Sequence, residues 1–259
     1  MIKLISEVEA EQEKEQEEMV NDYQDKRLIK SKDFPQPIYH TAIYPNLYKE
    51  EKWFRFFSSK LVNNILSLFT RERIINSFIE EVYPQSKVLQ MGVSFGDELE
   101  AVADQVGLKG RFDVIDINGA QLTYASEALG DSYPQVKFYH YDAEDPLPEK
   151  YDTIICYMLL HELPIASKIN VVNNALNSIE ENGKVIFVDY GRPNALHPLA
   201  YVVRMFNRLY QPFAEKLWDR EIASYADRDL DFNWKKQSFL GGMYQKVIVT
   251  RKGKDQILY

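Results

Sequence analysis

Five places in this sequence carry residues whose types and spacing can do chemistry, and each directly follows a short apolar run. The first is Gln90-Met91-Gly92-Val93-Ser94-Phe95-Gly96-Asp97, a turn whose glycines let the backbone approach a cofactor closely. Asp116 stands twenty residues after Gly96, the interval at which an acid accepts hydrogen bonds from both hydroxyls of a ribose. Asp142-Ala143 come next, then the run from Tyr157 to His161-Glu162, and last Asp189-Tyr190 with His197 shortly beyond. Ligands of open α/β sheets lie outside the carboxyl ends of the strands. Gln90, Gly92, Val93, Ser94, Gly96, Asp116, Ile117, Gln121, Asp142, Ala143 and Tyr157 are therefore predicted to line a cofactor pocket. His161, Glu162, Asp189, Tyr190 and His197 are the candidate catalytic residues.

Each of these has a plainer reading beside it. Asp116 could cap the following helix, although its spacing favours the ribose. Asp142 divides between an adenine contact and an acid that solvates a loop. His161 and Glu162 could act as base and orienter or give a metal one ligand each, and a structural His beside a capping Glu is an equal alternative. Asp189, Tyr190 and His197, with Asp142 or Glu162, would make an oxygen-rich site with one imidazole that suits manganese, but no fixed ligand spacing marks it, so the metal ligands stay unassigned. Cys156 reads as a small buried hydrophobe.

The elements that must position these residues alternate. KVLQMG (87–92), RFDVID (111–116), VKFYHYD (136–142), DTIICYMLL (152–160) and GKVIFVDY (183–190) are strand-like. Helical stretches at 97–106, 119–129 and near 165–180 separate them. Strands apolar enough to be buried on both faces, alternating with helices, predict a doubly wound, mostly parallel α/β sheet. WKKQSFLGGMYQKVIVT adds two strands joined through Gly241-Gly242, seven in all. Residues 1–33 read as an acidic helical arm and 34–82 as a Pro-rich linker with amphipathic covering helices. Residues 83–259 form the catalytic-type domain, with a helical lid over 192–228 inserted before the last strands.

A chain of 259 residues with 45% hydrophobic content supports one sizeable globular domain with an appendage. The net charge of −8 argues against a protein that coats nucleic acid. A single Cys rules out an internal disulfide and a Cys-based zinc cage. No apolar run approaches the roughly 20 residues that cross a bilayer, and no signal-peptide pattern opens the chain, so a cytoplasmic protein is expected. The charge is unevenly spread. Seven Glu fall within residues 7–18, whereas 192–220 holds five basic against two acidic residues. An apolar helical face flanked by Arg suits either a lid over the pocket or peripheral contact with an anionic inner-membrane surface.

The order of these motifs over 87–190 resembles class I S-adenosylmethionine-dependent methyltransferases, with Gln90 where the first loop usually has an acid and Ser94 where it has its middle glycine. In that superfamily the acid after strand two holds the ribose and the Asp after strand three meets the adenine amine, positions matched by Asp116 and Asp142. The strings VLQMGVSFGD, FDVIDINGAQL, LLHELP, VDYGRPNALHPL, YQPFAEKLW and FLGGMYQKVIV look like the rhodoquinone biosynthesis enzymes of that superfamily, over about residues 44–251. That resemblance implies a Rossmann-like methyltransferase fold, a quinone substrate, S-adenosylmethionine as amino donor to ubiquinone, and a manganese requirement. A conventional small-molecule C- or O-methyltransferase and an inactive cofactor-binding regulator are the alternatives.

Overall fold

The computed structural model describes residues 71–93, 98–129, 132–194, 213–228 and 231–253. The acidic arm, the linker, most of the covering helices and residues 195–212 of the lid lie outside the described residues. Seven strands form one sheet: β1 (Lys87–Met91), β2 (Arg111–Asp116), β3 (Val136–His140), β4 (Tyr151–Tyr157), β5 (Ile179–Tyr190), β6 (Phe232–Phe239) and β7 (Tyr244–Arg251). Their order is β3-β2-β1-β4-β5-β7-β6. The first five strands pair in parallel, and β7 runs antiparallel between β5 and β6. The strand order reverses between β1 and β4, which places the ligand crevice above these two strands.

Alternation along the strands sorts the core into two layers. Val88, Val114, Ile155, Ile186 and Val188 face one side, where α1 (Arg71–Ile79), α2 (Glu98–Val106) and α3 (Gly119–Leu129) cover them with Phe78, Val102 and Leu122. Leu89, Met91, Ile154, Cys156 and Phe187 face the other, under α4 (Ile165–Asn177) and the segment that follows Phe213. Cys156 is buried, as expected, and burial pushes its thiol pKa well up.

Three boundaries differ from the sequence reading. The fourth strand ends at Tyr157 instead of reaching 160, because Met158 takes a positive φ of 50° and the chain turns into a short 3-10 segment, Leu160–Glu162. The helix near 165–180 stops at Asn177, where the Ser178 N–H folds back onto the carbonyls of Asn174 and Ala175. The fifth strand consequently starts at Ile179, and a register shift opposite Tyr151–Thr153 absorbs its polar Glu-Glu-Asn-Gly opening. In the described part of the lid, helix is confined to α5 (Lys216–Asp219) and a 3-10 turn, Ile222–Tyr225. Among the described residues no helix is long and apolar enough to cross a membrane.

Candidate functional site

The cofactor side begins at Gly92. Its φ is +86°, and a Cβ there would stand 3.3 Å from the Leu159 Cβ, so the turn out of β1 needs a residue without a side chain. Asp116 then ties the β1 and β2 loops together. Its Oδ2 accepts the Val93 N–H at 2.7 Å and its Oδ1 accepts the Asn118 N–H at 2.7 Å. The cap of α3 is not Asp116 but Asn118, whose Oδ1 accepts the N–H groups of Ala120 and Gln121 at 3.0 and 3.3 Å. Each Asp116 oxygen therefore keeps a second lone pair for a ligand hydroxyl. Burial pushes the Asp116 carboxyl up to about 7 against these two N–H groups, and the nearby charges of Glu162 and Asp142 add to the rise. Asp116 thus lies within electrostatic reach of the carboxylates that follow β3 and β4.

Gln90 is wholly buried, and its Nε2 donates to the Gly92 carbonyl at 3.1 Å. Among the described residues, its Oε1 and the Nδ2 of buried Asn118 have no hydrogen-bond partner. Buried polar atoms are rarely left so, and a polar ligand against this loop would satisfy them. The residues present therefore fit a nucleoside cofactor, with Asp116 for the ribose. Asp142 Oδ1 accepts the Glu144 N–H at 2.9 Å, and Asn174 of α4 grips the same loop through the carbonyls of Ala143 and Asp145 at 3.0 and 2.9 Å. Ile117 is partly buried, with its carbonyl 2.7 Å from His140 Nε2, and Gln121 is buried in the first turn of α3. Tyr157, expected at the cofactor, instead turns its ring into the core against Phe78 at 5.5 Å, with 5% exposure. Ser94 and Gly96 lie outside the described residues.

The catalytic candidates converge at the ends of β4 and β5. Asp189 is wholly buried, and its Oδ1 accepts His161 Nδ1–H at 2.9 Å and the Tyr190 N–H at 2.7 Å. Its Oδ2 accepts the His161 backbone N–H at 3.2 Å. A donating Nδ1 leaves the lone pair on Nε2, which lies 3.8 Å from Glu162 Oε1, beyond hydrogen-bond reach. Burial alone would lower the imidazole pKa, but the charge and hydrogen bond of Asp189, with Glu162 adding, hold it above its ordinary value. The Tyr190 ring packs 4.6 Å from His161 and 5.5 Å from Tyr244. A buried imidazole fixed by a carboxylate at Nδ1 is an arrangement that suits a general base with its orienter.

Three separate sequence strings build this corner. HELP supplies His161, VDYGRP supplies Asp189 and Tyr190, and GGMYQKV crosses behind them. The Gly191 N–H donates to Met243 O at 2.9 Å, Asn194 N–H to Gly241 O at 2.7 Å, and Gln245 Nε2 to Tyr190 O at 2.8 Å. Gly242 has φ +94°, and a Cβ there would fall 2.4 Å from Arg192 O. His197 lies outside the described residues.

Of the candidate manganese ligands, His197 lies outside the described residues. Asp189 Oδ1 accepts from His161 Nδ1 and the Tyr190 N–H and its Oδ2 from the His161 backbone N–H, and among the described residues no three His, Cys, Asp or Glu side chains converge on one point. No step below runs through a metal.

Four contributors were missed in the sequence. Asn118 was legible, since Asn-Gly before a helical run is a capping signal. Lys168 was not, because a lysine one turn into a helix reads as solvated, yet it is wholly buried. Arg71 and Glu98, joined at 2.7 Å between α1 and the first residue of α2, likewise looked like surface charges.

Residues 88–183 match the family model of a methyltransferase domain. No curated protein matches the sequence. Among solved structures, the pyocyanin biosynthetic protein PhzM aligns over 81% of this chain and 62% of its own, with a TM-score of 0.57 and 13% identity. Human N-acetylserotonin methyltransferase, solved with S-adenosylmethionine, aligns over 83% of this chain and 60% of its own, with a TM-score of 0.56 and 17% identity. A SAM-dependent methyltransferase from Aquifex aeolicus aligns over 77% of this chain and 97% of its own, at 0.54 and 17%. The chain spans about three fifths of the length of the first two. At these identities the likeness is one of fold. Residues 88–183 are thus similar to a methyltransferase domain, and the sheet that contains them has the fold of the class I S-adenosylmethionine-dependent methyltransferases.

Proposed function

We propose that the chain is an S-adenosylmethionine-dependent transferase acting on a small aromatic acceptor, with His161 as the proton acceptor and Asp189 as its orienter. The observation that carries this reading is the buried His161–Asp189 pair at the ends of β4 and β5, on the crevice that Asp116 shares. In methyl transfer, the acceptor's proton passes to His161 Nε2 as the oxygen or carbon attacks the methyl group, and the sulfur departs as the thioether. Alignment of the two reactants supplies much of the rate.

A more specific reading takes a quinone as acceptor and the cofactor as amino donor. It is favoured by HELP, VDYGRP and GGMYQKV, the strings that resemble the rhodoquinone biosynthesis enzymes, meeting at this one corner. A bound cofactor would supply the nitrogen: its amine would replace the ring methoxy group, which leaves as methanol while His161 takes the amine's proton. The N–Cα bond of the cofactor would then break, with the quinone accepting two electrons from that carbon and water releasing it as a ketone. Mass spectrometry of quinones from cells expressing the protein, with a His161→Asn control, separates the readings. A quinone with methoxy replaced by amino supports amino transfer, and an added methyl supports methylation. No calorimetric binding of S-adenosylmethionine at millimolar concentration refutes both, and an unchanged pool with binding retained leaves the cofactor-binding regulator.

A further inference from the structure

The described part of the molecule contains one wholly buried lysine side chain, and nothing above uses it. Lys168 lies one turn into α4 with 0% exposure. Its Nζ donates to the carbonyls of Leu163 at 2.5 Å and Phe213 at 3.1 Å and stands 5.9 Å from the centre of the Phe213 ring. Among the described residues no carboxylate comes within ion-pair distance of it. A buried ammonium held only by two carbonyls and an aromatic face is costly. Two carbonyls could be joined by a neutral side chain at less expense, so the charge itself calls for an explanation.

The two carbonyls belong to segments that matter. Leu163 closes the turn that carries His161, and Phe213 opens the segment that runs into α5 and covers this face of the core. The charged and titratable groups that bear on Lys168 are Asp189 on β5, Lys216 on α5 and His161 itself. Burial lowers its pKa to about 8, with Asp189 opposing and Lys216 adding, and in return its charge opposes protonation of His161.

We propose that Lys168 is a positioning residue for His161, its ammonium clamping the 161–163 turn to the chain at Phe213 and so setting both the placement and the basicity of the imidazole. The inference rests on His161 being the proton acceptor of the proposed transfer. It makes the corner a coupled set of three groups in which Asp189 strengthens the base and Lys168 restrains it. With the clamp charged, the rise that Asp189 imposes on the His161 pKa is partly opposed.

The test is an NMR titration of the full-length protein carrying ring-labelled histidine, with the His161 resonance assigned through His161→Asn. In the native protein the His161 signal should show a second inflection near pH 8, as Lys168 loses its proton. Lys168→Met should make His161 bind its proton about three- to tenfold more tightly, whereas Lys168→Arg, which keeps the charge, should restore the native value within about twofold. In turnover, the rate should fall above pH 8 in the native protein and hold in Lys168→Arg, with kcat affected more than KM. A structural tie alone would move stability in Lys168→Met and leave the His161 titration where it was. A single inflection in the native protein, or an unmoved His161 value in folded Lys168→Met, overturns the proposal. Should Lys168→Met fail to fold, the native titration and Lys168→Arg still decide. Failure of the transferase reading would show separately, as no cofactor binding by the native protein.

Discussion

Replacing Asp116 by alanine examines the cofactor side most directly. Its two oxygens each give one lone pair to a loop N–H, at 2.7 Å, and each retains one for a ribose hydroxyl. Two hydrogen bonds to a charged acceptor, less what the hydroxyls regain from water in the cavity, amount to about 2–3 kcal/mol. At 1.4 kcal/mol per decade, the dissociation constant for S-adenosylhomocysteine should rise about 30- to 150-fold. A second signature follows from the carboxyl being raised to about 7. Below that pH the group is protonated and loses its charge as an acceptor, so native affinity should fall as pH drops from 8 to 6, while the alanine variant stays flat. The gap between the two proteins should therefore narrow at acid pH. Calorimetry at several pH values reads both effects. Asp116→Asn, which keeps one acceptor for the loop, controls for the Val93 and Asn118 N–H groups that alanine leaves without a partner. An alanine variant that binds as the native protein does, or a native affinity without pH dependence, would refute the ribose role of Asp116.

Three other substitutions bear on separate parts of the fold. Asp189→Asn should lower the His161 pKa, move the acid limb of kcat/KM to lower pH and cut the plateau about 10²–10⁴-fold, the range of a lost general base; an unshifted limb would remove His161 from that role. The same pair affects stability with a definite sign. Because the folded His161 pKa lies above the unfolded value of about 6.5, its contribution is complete below that pH and is lost as pH rises through the folded value. The melting deficit of Asp189→Asn should accordingly be larger at pH 5.5 than at pH 9. Gly242→Ala drives a Cβ onto Arg192 O and forces φ +94° on an L-residue, and should cost about 2–4 kcal/mol in urea denaturation. Arg71→Leu strands the buried Glu98 carboxylate, with an expected loss of about 3–5 kcal/mol, and Arg71→Leu with Glu98→Leu should recover part of it; an additive double variant would mean the two charges do not depend on each other.

The sheet was largely legible because period and composition set it. Runs such as Val88-Leu89 and Val185-Ile186-Phe187 are buried on both faces, and such runs admit few other placements. The strand-end rule likewise brought Gly92, Asp116, Asp142, His161 and Asp189 to one edge before any coordinates. What escaped were features set by three-dimensional contact. The end of β4 depends on a left-handed Met158, which no residue type signals. The inward turn of Tyr157 depends on α1, whose Phe78 is distant in sequence. Lys168 and the Arg71–Glu98 pair are charges that packing buries, against the usual preference of those residues for solvent.

The antiparallel placement of β7 has a consequence for the order in which the molecule assembles. β1 to β3 and their helices are contiguous in sequence and hold Gly92, Asp116 and Asp142, so the cofactor edge can form from contacts made early in the chain. The catalytic corner cannot, because Gly191 and Tyr190 bond to Met243 and Gln245, more than fifty residues downstream. Closing so long a loop is slow relative to local structure. During synthesis, a chain released before residue 241 would contain the elements proposed to hold the nucleoside but not the residues that back Tyr190 and Gly191 beside His161. The proposed transfer would thereby wait until the last hairpin docks.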